Sequence, residues 1–152
     1  MKTEIIKENI EDAAEIIRRG GLVAVPTETV YGLAGNGLNE QAVRQIYEVK
    51  GRPEEKPINL LVRSMTDVEK VCVDIPAEAY KMAEAFWPGP LTMVSPKDDA
   101  IPDAVSCGLS TVGIRFPSNK IAQALINAAG VPVADSVPGK RLYPRPFNFQ
   151  GT

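Results

Sequence analysis

The stretch STVGIRFPSNKIAQALINAAGVPVA, Ser110 to Ala134, decides the fold. Thr111-Val112-Gly113-Ile114-Arg115 is β-branched and short, the pattern of a buried strand. Ser118 is placed to cap a helix that runs to about Ala129, and Gly130 closes it. Val131-Pro132-Val133-Ala134 then begins another strand. A strand, a helix and a strand in succession is the building unit of α/β folds.

The alternation extends toward the N-terminus. Asn9 reads as an N-cap with Asp12 three residues on, and Ile10, Ala13, Ala14 and Ile17 share one helical face until Gly20-Gly21 ends it. Leu22 to Val25 is a buried strand, Pro26 to Thr29 a polar break, and Val30 to Ala34 resumes as extended or turn structure. Asn39 caps a helix to about Val49, with Ala42, Val43 and Ile46 inward. Ile58 to Val62 and Leu91 to Val94 are further strands. Ser64 with Asp67 opens a short helix, and Pro76 takes the first position of one that reaches Phe86. Ser95 to Gly108 reads as loop. The whole predicts a single α/β domain over 1–152, with a mixed sheet covered on both faces.

Composition narrows the chemistry. The chain has 152 residues, no His and two Cys, so a Ser-His-Asp triad, a Cys-His pair and a His-ligated or four-thiolate zinc site are excluded. Cys72 and Cys107 read as small buried apolar residues in a reduced, cytoplasmic protein. The 17 Lys+Arg and 19 Asp+Glu leave a net charge of −2, which argues against a strongly basic nucleic-acid binder. No apolar run is long enough to span a membrane, and MKTEIIKENIED lacks the apolar core of an export signal.

Polar residues gather where strands begin or end. Thr27, Glu28 and Thr29 follow the first strand; they line a ligand or simply bond the local backbone. Lys50, Arg52 and Lys56 fall on a segment that Gly51, Pro53 and Pro57 hold non-helical. Cations so fixed suit a polyphosphate, although Glu54 and Glu55 could neutralise them in a solvated loop. The segment lacks the P-loop pattern. Arg115, on an apolar strand, needs an acceptor, which a ligand carboxylate or a structural group could supply. Trp87-Pro88-Gly89-Pro90 shapes backbone rather than chemistry. Hydroxyls and cations at strand ends, without an acid-base His, fit phosphoryl or nucleotidyl transfer driven by positioning.

PTETVYGL, KGRPEEKPINLLV, FWPGPLTMV and STVGIRFPSN, in this order and spacing over about 20–134, resemble the YrdC family of L-threonylcarbamoyladenylate synthases. The resemblance implies a YrdC/RibB-like twisted mixed sheet flanked by helices. It implies a nucleotidyltransferase that makes threonylcarbamoyl-AMP and pyrophosphate from L-threonine, bicarbonate and ATP with Mg²⁺, without a protein nucleophile or a resident metal. It implies partner proteins that carry the product to tRNA. By the same resemblance Thr27 and Thr29 line the threonine pocket and Arg115 takes its carboxylate. Lys50, Arg52 and Lys56 hold the ATP phosphates, Lys50 and Arg52 as the electrostatic catalysts, and Thr111 and Ser136 touch the nucleotide. The alternative is a non-catalytic module that binds tRNA or double-stranded RNA, which the acidic charge disfavours. The related carbamoyl-transfer domain of hydrogenase maturation proteins normally sits in a much larger chain.

The chain departs from the family in two places. Relatives often carry a His near position 61, which is Leu61 here, and a Ser-Ala-Asn motif after Val131-Pro132-Val133-Ala134, where Asp135-Ser136-Val137-Pro138-Gly139 stands instead. Pattern and resemblance stop together, so we expect the C-terminus to be short for the family. We also expect 135–152 to be an atypical tail, out of frame or otherwise altered, that impairs activity.

Overall fold

The computed structural model describes residues 3–5, 9–26, 31–50, 57–136 and 141–142; for 3–5, 26, 31, 50 and 141–142 it describes the backbone alone. In chain order the elements are β1 (Thr3–Ile5), α1 (Ile10–Arg18), β2 (Leu22–Pro26), β3 (Tyr31–Asn36), α2 (Glu40–Lys50), β4 (Asn59–Leu61) and α3 (Met65–Val71). There follow α4 (Ala77–Phe86), β5 (Thr92–Pro96), α5 (Asp103–Ser106), β6 (Thr111–Arg115), α6 (Lys120–Ala129), β7 (Val133–Asp135) and β8 (Arg141–Leu142).

The strands form one mixed sheet in the order β1-β2-β3-β7-β4-β6-β5-β8. Three pairs are parallel, β1 with β2, β4 with β6 and β5 with β8; β2–β3, β3–β7, β4–β7 and β5–β6 are antiparallel. Helices cover both faces, because side chains alternate along each strand and both sets are apolar. Leu22, Leu33, Leu60, Val112, Ile114 and Ala134 pack with α2, α3 and α5. Val23, Val25, Ala34, Leu61 and Val133 pack with α1 and α6 on the other face. Arg18 Nη1 donates to the Ala128 carbonyl at 2.7 Å and ties those two helices together.

Five local readings are corrected. The N-cap of α6 is Asn119, not Ser118: its side chain accepts from Ala122 N at 3.0 Å. Ser64 makes no side-chain cap; Asp67 instead accepts from the Arg63 backbone N–H at 3.1 Å. Pro76 is the extended cap of α4 and not its first helical residue. The segment read as loop over 95–108 contains the end of β5 and the short helix α5. The strand expected from Val131 begins at Val133, and the tail contributes β8. Gly130 closes α6 at φ 69°, a left-handed conformation in which a side chain would be strained.

Cys72 is buried in the α2/α3 layer, and burial, with Asp98 nearby, pushes its thiol up to about 12. Cys107 is only half-buried; its Sγ lies 3.2 Å from the Tyr47 hydroxyl, which donates to the Ala104 carbonyl at 3.0 Å. Among the described residues no helix is long and apolar enough to cross a membrane.

Candidate functional site

The sheet register brings described residues that flank or belong to the sequence motifs to one end of the sheet. β2 ends at Pro26 and β3 starts at Tyr31, its antiparallel partner, at this end. β3 runs to the opposite end, α2 returns, and Lys50 closes α2 before β4 starts at Asn59. β6 starts here with Thr111, and β7 leaves here through Asp135 and Ser136. Thr27, Thr29, Arg52 and Lys56 themselves lie outside the described residues, as does the Lys50 side chain.

Two rows of registered neighbours define the face that α1 and α6 cover. In the row nearer the motifs, Val23, Ala34, Asp135, Asn59, Gly113 and Val94 stand side by side across six strands. In the next row Val133, Leu61 and Arg115 are neighbours. Registered neighbours project from the same face, so Asp135, Asn59 and Arg115 share it with the α1/α6 core. At the centre of the first row the side chains change from apolar to polar. Asn59 is 5% exposed and Asp135 1% exposed, and Gly113 beside them has no side chain. Asn59 Nδ2 donates to Thr92 Oγ1 at 3.4 Å. Polar groups this deeply buried are costly unless bonded, and their presence marks a departure from simple core packing.

Ser136 is buried and works in the sheet. Its Oγ accepts from Leu33 N at 3.0 Å, and its own N–H donates to the Leu33 carbonyl at 3.1 Å. The β3–β7 pairing therefore continues one residue past β7. Thr111 is half-buried at the first position of β6, opposite Pro96. Arg115 sits at the other end of β6, about 13 Å from Thr111 along the strand. It is 3% exposed, and its Nε donates to the Gly89 carbonyl at 3.2 Å. Gly89 N–H in turn donates to the Phe116 carbonyl at 2.8 Å, and Trp87 Nε1 to the Leu91 carbonyl at 2.9 Å. The Trp87–Pro90 turn is thereby fastened around Arg115. The register thus brings the Lys50 backbone, Thr111 and Ser136 to one end, while Arg115 anchors the far end of the same face.

Asn59, Thr92 and Asp135 were not singled out by the sequence reading. The available signal was a polar residue inside an otherwise apolar run: Asn59 before Leu60-Leu61-Val62, and Thr92 within Leu91 to Val94. Among the described residues, no group of three or more His, Cys, Asp or Glu could hold a metal ion.

The sequence profile of the Sua5/YciO/YrdC family, which carries the description telomere recombination, matches residues 15–137. The chain belongs to the Sua5/YciO/YrdC family. It is 46% identical over 134 residues to the threonylcarbamoyl-AMP synthase of Pyrococcus abyssi, covering 85% of this chain and 39% of that protein. It is 43% identical over 126 residues to the threonylcarbamoyl-AMP synthase of Bacillus subtilis, covering 82% of this chain and 36% of that protein. The structure of P. abyssi Sua5 complexed with L-threonine matches with a TM-score of 0.82 and 43% identity, over 89% of this chain and 41% of that one. The chain thus spans about two-fifths of the length of these relatives. The Sua5/YciO/YrdC match bears out both the family resemblance and the α/β mixed sheet expected from it.

Proposed function

We propose that this chain carries the threonylcarbamoyl-AMP synthase activity of its family, as a nucleotidyltransferase acting on L-threonine, bicarbonate and ATP. The observation that carries the reading is that Lys50, Thr111 and Ser136 come to the sheet end where β2 ends and β3 begins, beside a buried polar row. The relatives that share this sequence are named for that product, and one was solved with L-threonine.

In this reading the threonine amine and bicarbonate condense to a carbamate with loss of water. A carbamate oxygen attacks the α-phosphorus of ATP, the bond to the β-phosphate oxygen breaks, and pyrophosphate leaves. Both reactants are anions, so the barrier is largely electrostatic. Lys50, Arg52 and Lys56 offset the repulsion and stabilise charge on the departing pyrophosphate. Thr111 and Ser136 contact the nucleotide, Thr27 and Thr29 line the threonine pocket, and Arg115 takes the threonine carboxylate. Gly89 already occupies Arg115 Nε, which would fix the guanidinium in one orientation. The described residues offer no carboxylate cage for Mg²⁺; an ion carried by the ATP phosphates would arrive with the substrate and help offset their charge. The product passes to tRNA-modification partners, and residues 135–152, where the family's Ser-Ala-Asn is absent, make the activity weak.

The test is pyrophosphate release that requires ATP, L-threonine and bicarbonate together. Release without threonine, or no release and no binding of either ATP or threonine, sinks the proposal.

A further inference from the structure

A cavity lies at the end of the sheet opposite Thr111 and Ser136, where β4 ends. Its volume is about 230 Å³, below the range of about 300–1,000 Å³ typical of drug-sized sites, so it has room only for a small molecule. Leu38, Val62, Val71, Val131 and Pro132 give it an apolar wall. Leu38 is 45% exposed there, a large apolar side chain left half in water. Val62 follows the last residue of β4 and Asn59 is the first, so the cavity and the buried polar row stand about 10 Å apart along one strand.

Arg63, Asp67 and Lys70 form its rim. Asp67 is already committed: Oδ2 accepts from Arg63 Nε at 2.8 Å and from Arg63 N at 3.1 Å, and Oδ1 accepts from Nη2 at 3.2 Å. Arg63 and Asp67 thus largely neutralise each other. Lys70 Nζ is 3.8 Å from Asp67 Oδ1, beyond hydrogen-bond distance, and its side chain is 68% exposed. One loosely held ammonium therefore borders an apolar hollow. A single ammonium suits one carboxylate. A phosphate dianion wants several donors and would be repelled by the Asp67 carboxylate beside it.

We propose that this cavity binds a small monoanion with an apolar body, a branched-chain or aromatic carboxylate, its charge on Lys70 and its body against Leu38, Val62 and Val131. This site is independent of the proposed synthase reaction.

The experiment titrates the full ¹⁵N-labelled chain with 4-methylpentanoate and with phenylacetate, and follows backbone amide shifts. Saturable shifts are expected at Val62, Lys70, Ala100 and Val131. The neutral amides of both acids, and the Lys70→Gln variant with the acids, should each bind at least tenfold more weakly, and Val131→Trp should abolish the shifts by filling the hollow. Four results overturn the proposal: no saturable shifts, equal binding of acid and amide, insensitivity to Lys70→Gln, or shifts centred on Thr111 and Ser136. Inorganic phosphate binding as tightly at the same amides would overturn the assignment of a monoanion with an apolar body. The acid–amide comparison needs no variant, so misfolding cannot mask the outcome.

Discussion

The sheet face covered by α1 and α6 holds two bands of different character. Under the helices, Ile17, Val23, Ala34, Leu61, Leu125 and Val133 are almost fully buried and wholly apolar. Beside them on the same face, Asp135 and Asn59, in the row of Val23 and Ala34, and Thr92, hydrogen-bonded to Asn59, are as deeply buried but polar. The first band supplies stability through area removed from water, and the second gives up part of that gain to keep polar groups buried. The two bands should therefore respond to substitution in opposite ways.

Ile17→Ala should produce the largest stability loss, about 2–5 kcal/mol, because a fully buried side chain leaves a cavity between α1 and the sheet. Urea unfolding measures it. A loss under about 1 kcal/mol would mean that α1 does not close this face and would erase the contrast. Arg52→Ala should do the reverse: the unfolding midpoint stays put, while pyrophosphate release falls by roughly 10²–10³-fold, the usual cost of removing one transition-state donor. If both variants lose stability alike, Arg52 serves packing rather than the reaction.

These two predictions also mark what could be read in advance. The apolar band was legible because Ile10, Ala13, Ala14 and Ile17 keep helical spacing and 22–25 and 111–115 are β-branched runs. The motif segments were legible as residue types. Their shared location was not, since it depends on β7 inserting between β3 and β4, a pairing across more than 70 residues of chain. Asn59 and Asp135 become neighbours only through that register, so nothing local announced them. Short elements escaped for a different reason. α5 has four residues and β1 three, too few to show a period, and pairing with β2 is what holds β1. At the start of α6, Ser118 and Asn119 are both good capping types, and local geometry chose the second.

That choice gives a smaller test within the apolar band. Asn119→Ala should cost about 1 kcal/mol, since the Ala122 N–H loses its acceptor at the start of the helix that covers Leu61 and Val133. Equilibrium unfolding reads this directly. No change would mean that another group caps α6 and that the helix owes its position to packing alone.

The smallest effect lies outside both bands, at the cavity rim formed by Arg63, Asp67 and Lys70, and its pH dependence is what identifies it. The Arg63 guanidinium, bonded to Asp67, holds that carboxyl below its usual range. A carboxyl depressed in the folded state contributes stability that is fully present above its unfolded pKa and disappears as pH falls through the folded value. Arg63 is more than a third exposed, so screening limits the pair to about 0.5 kcal/mol at neutral pH. Asp67→Asn should lose about that much at pH 7, and the gap from the unmodified chain should close once pH drops below the ordinary aspartate range of about 4. Raising salt should shrink the gap at pH 7 as well. A gap that persists unchanged in acid and in high salt would assign the loss to the Asp67 hydrogen bond to the Arg63 backbone N–H, which a neutral Asn keeps only if its amide oxygen takes the same position. Asp67→Ala would then have to be worse than Asp67→Asn at every pH, whereas a charge effect makes the two alike at pH 7.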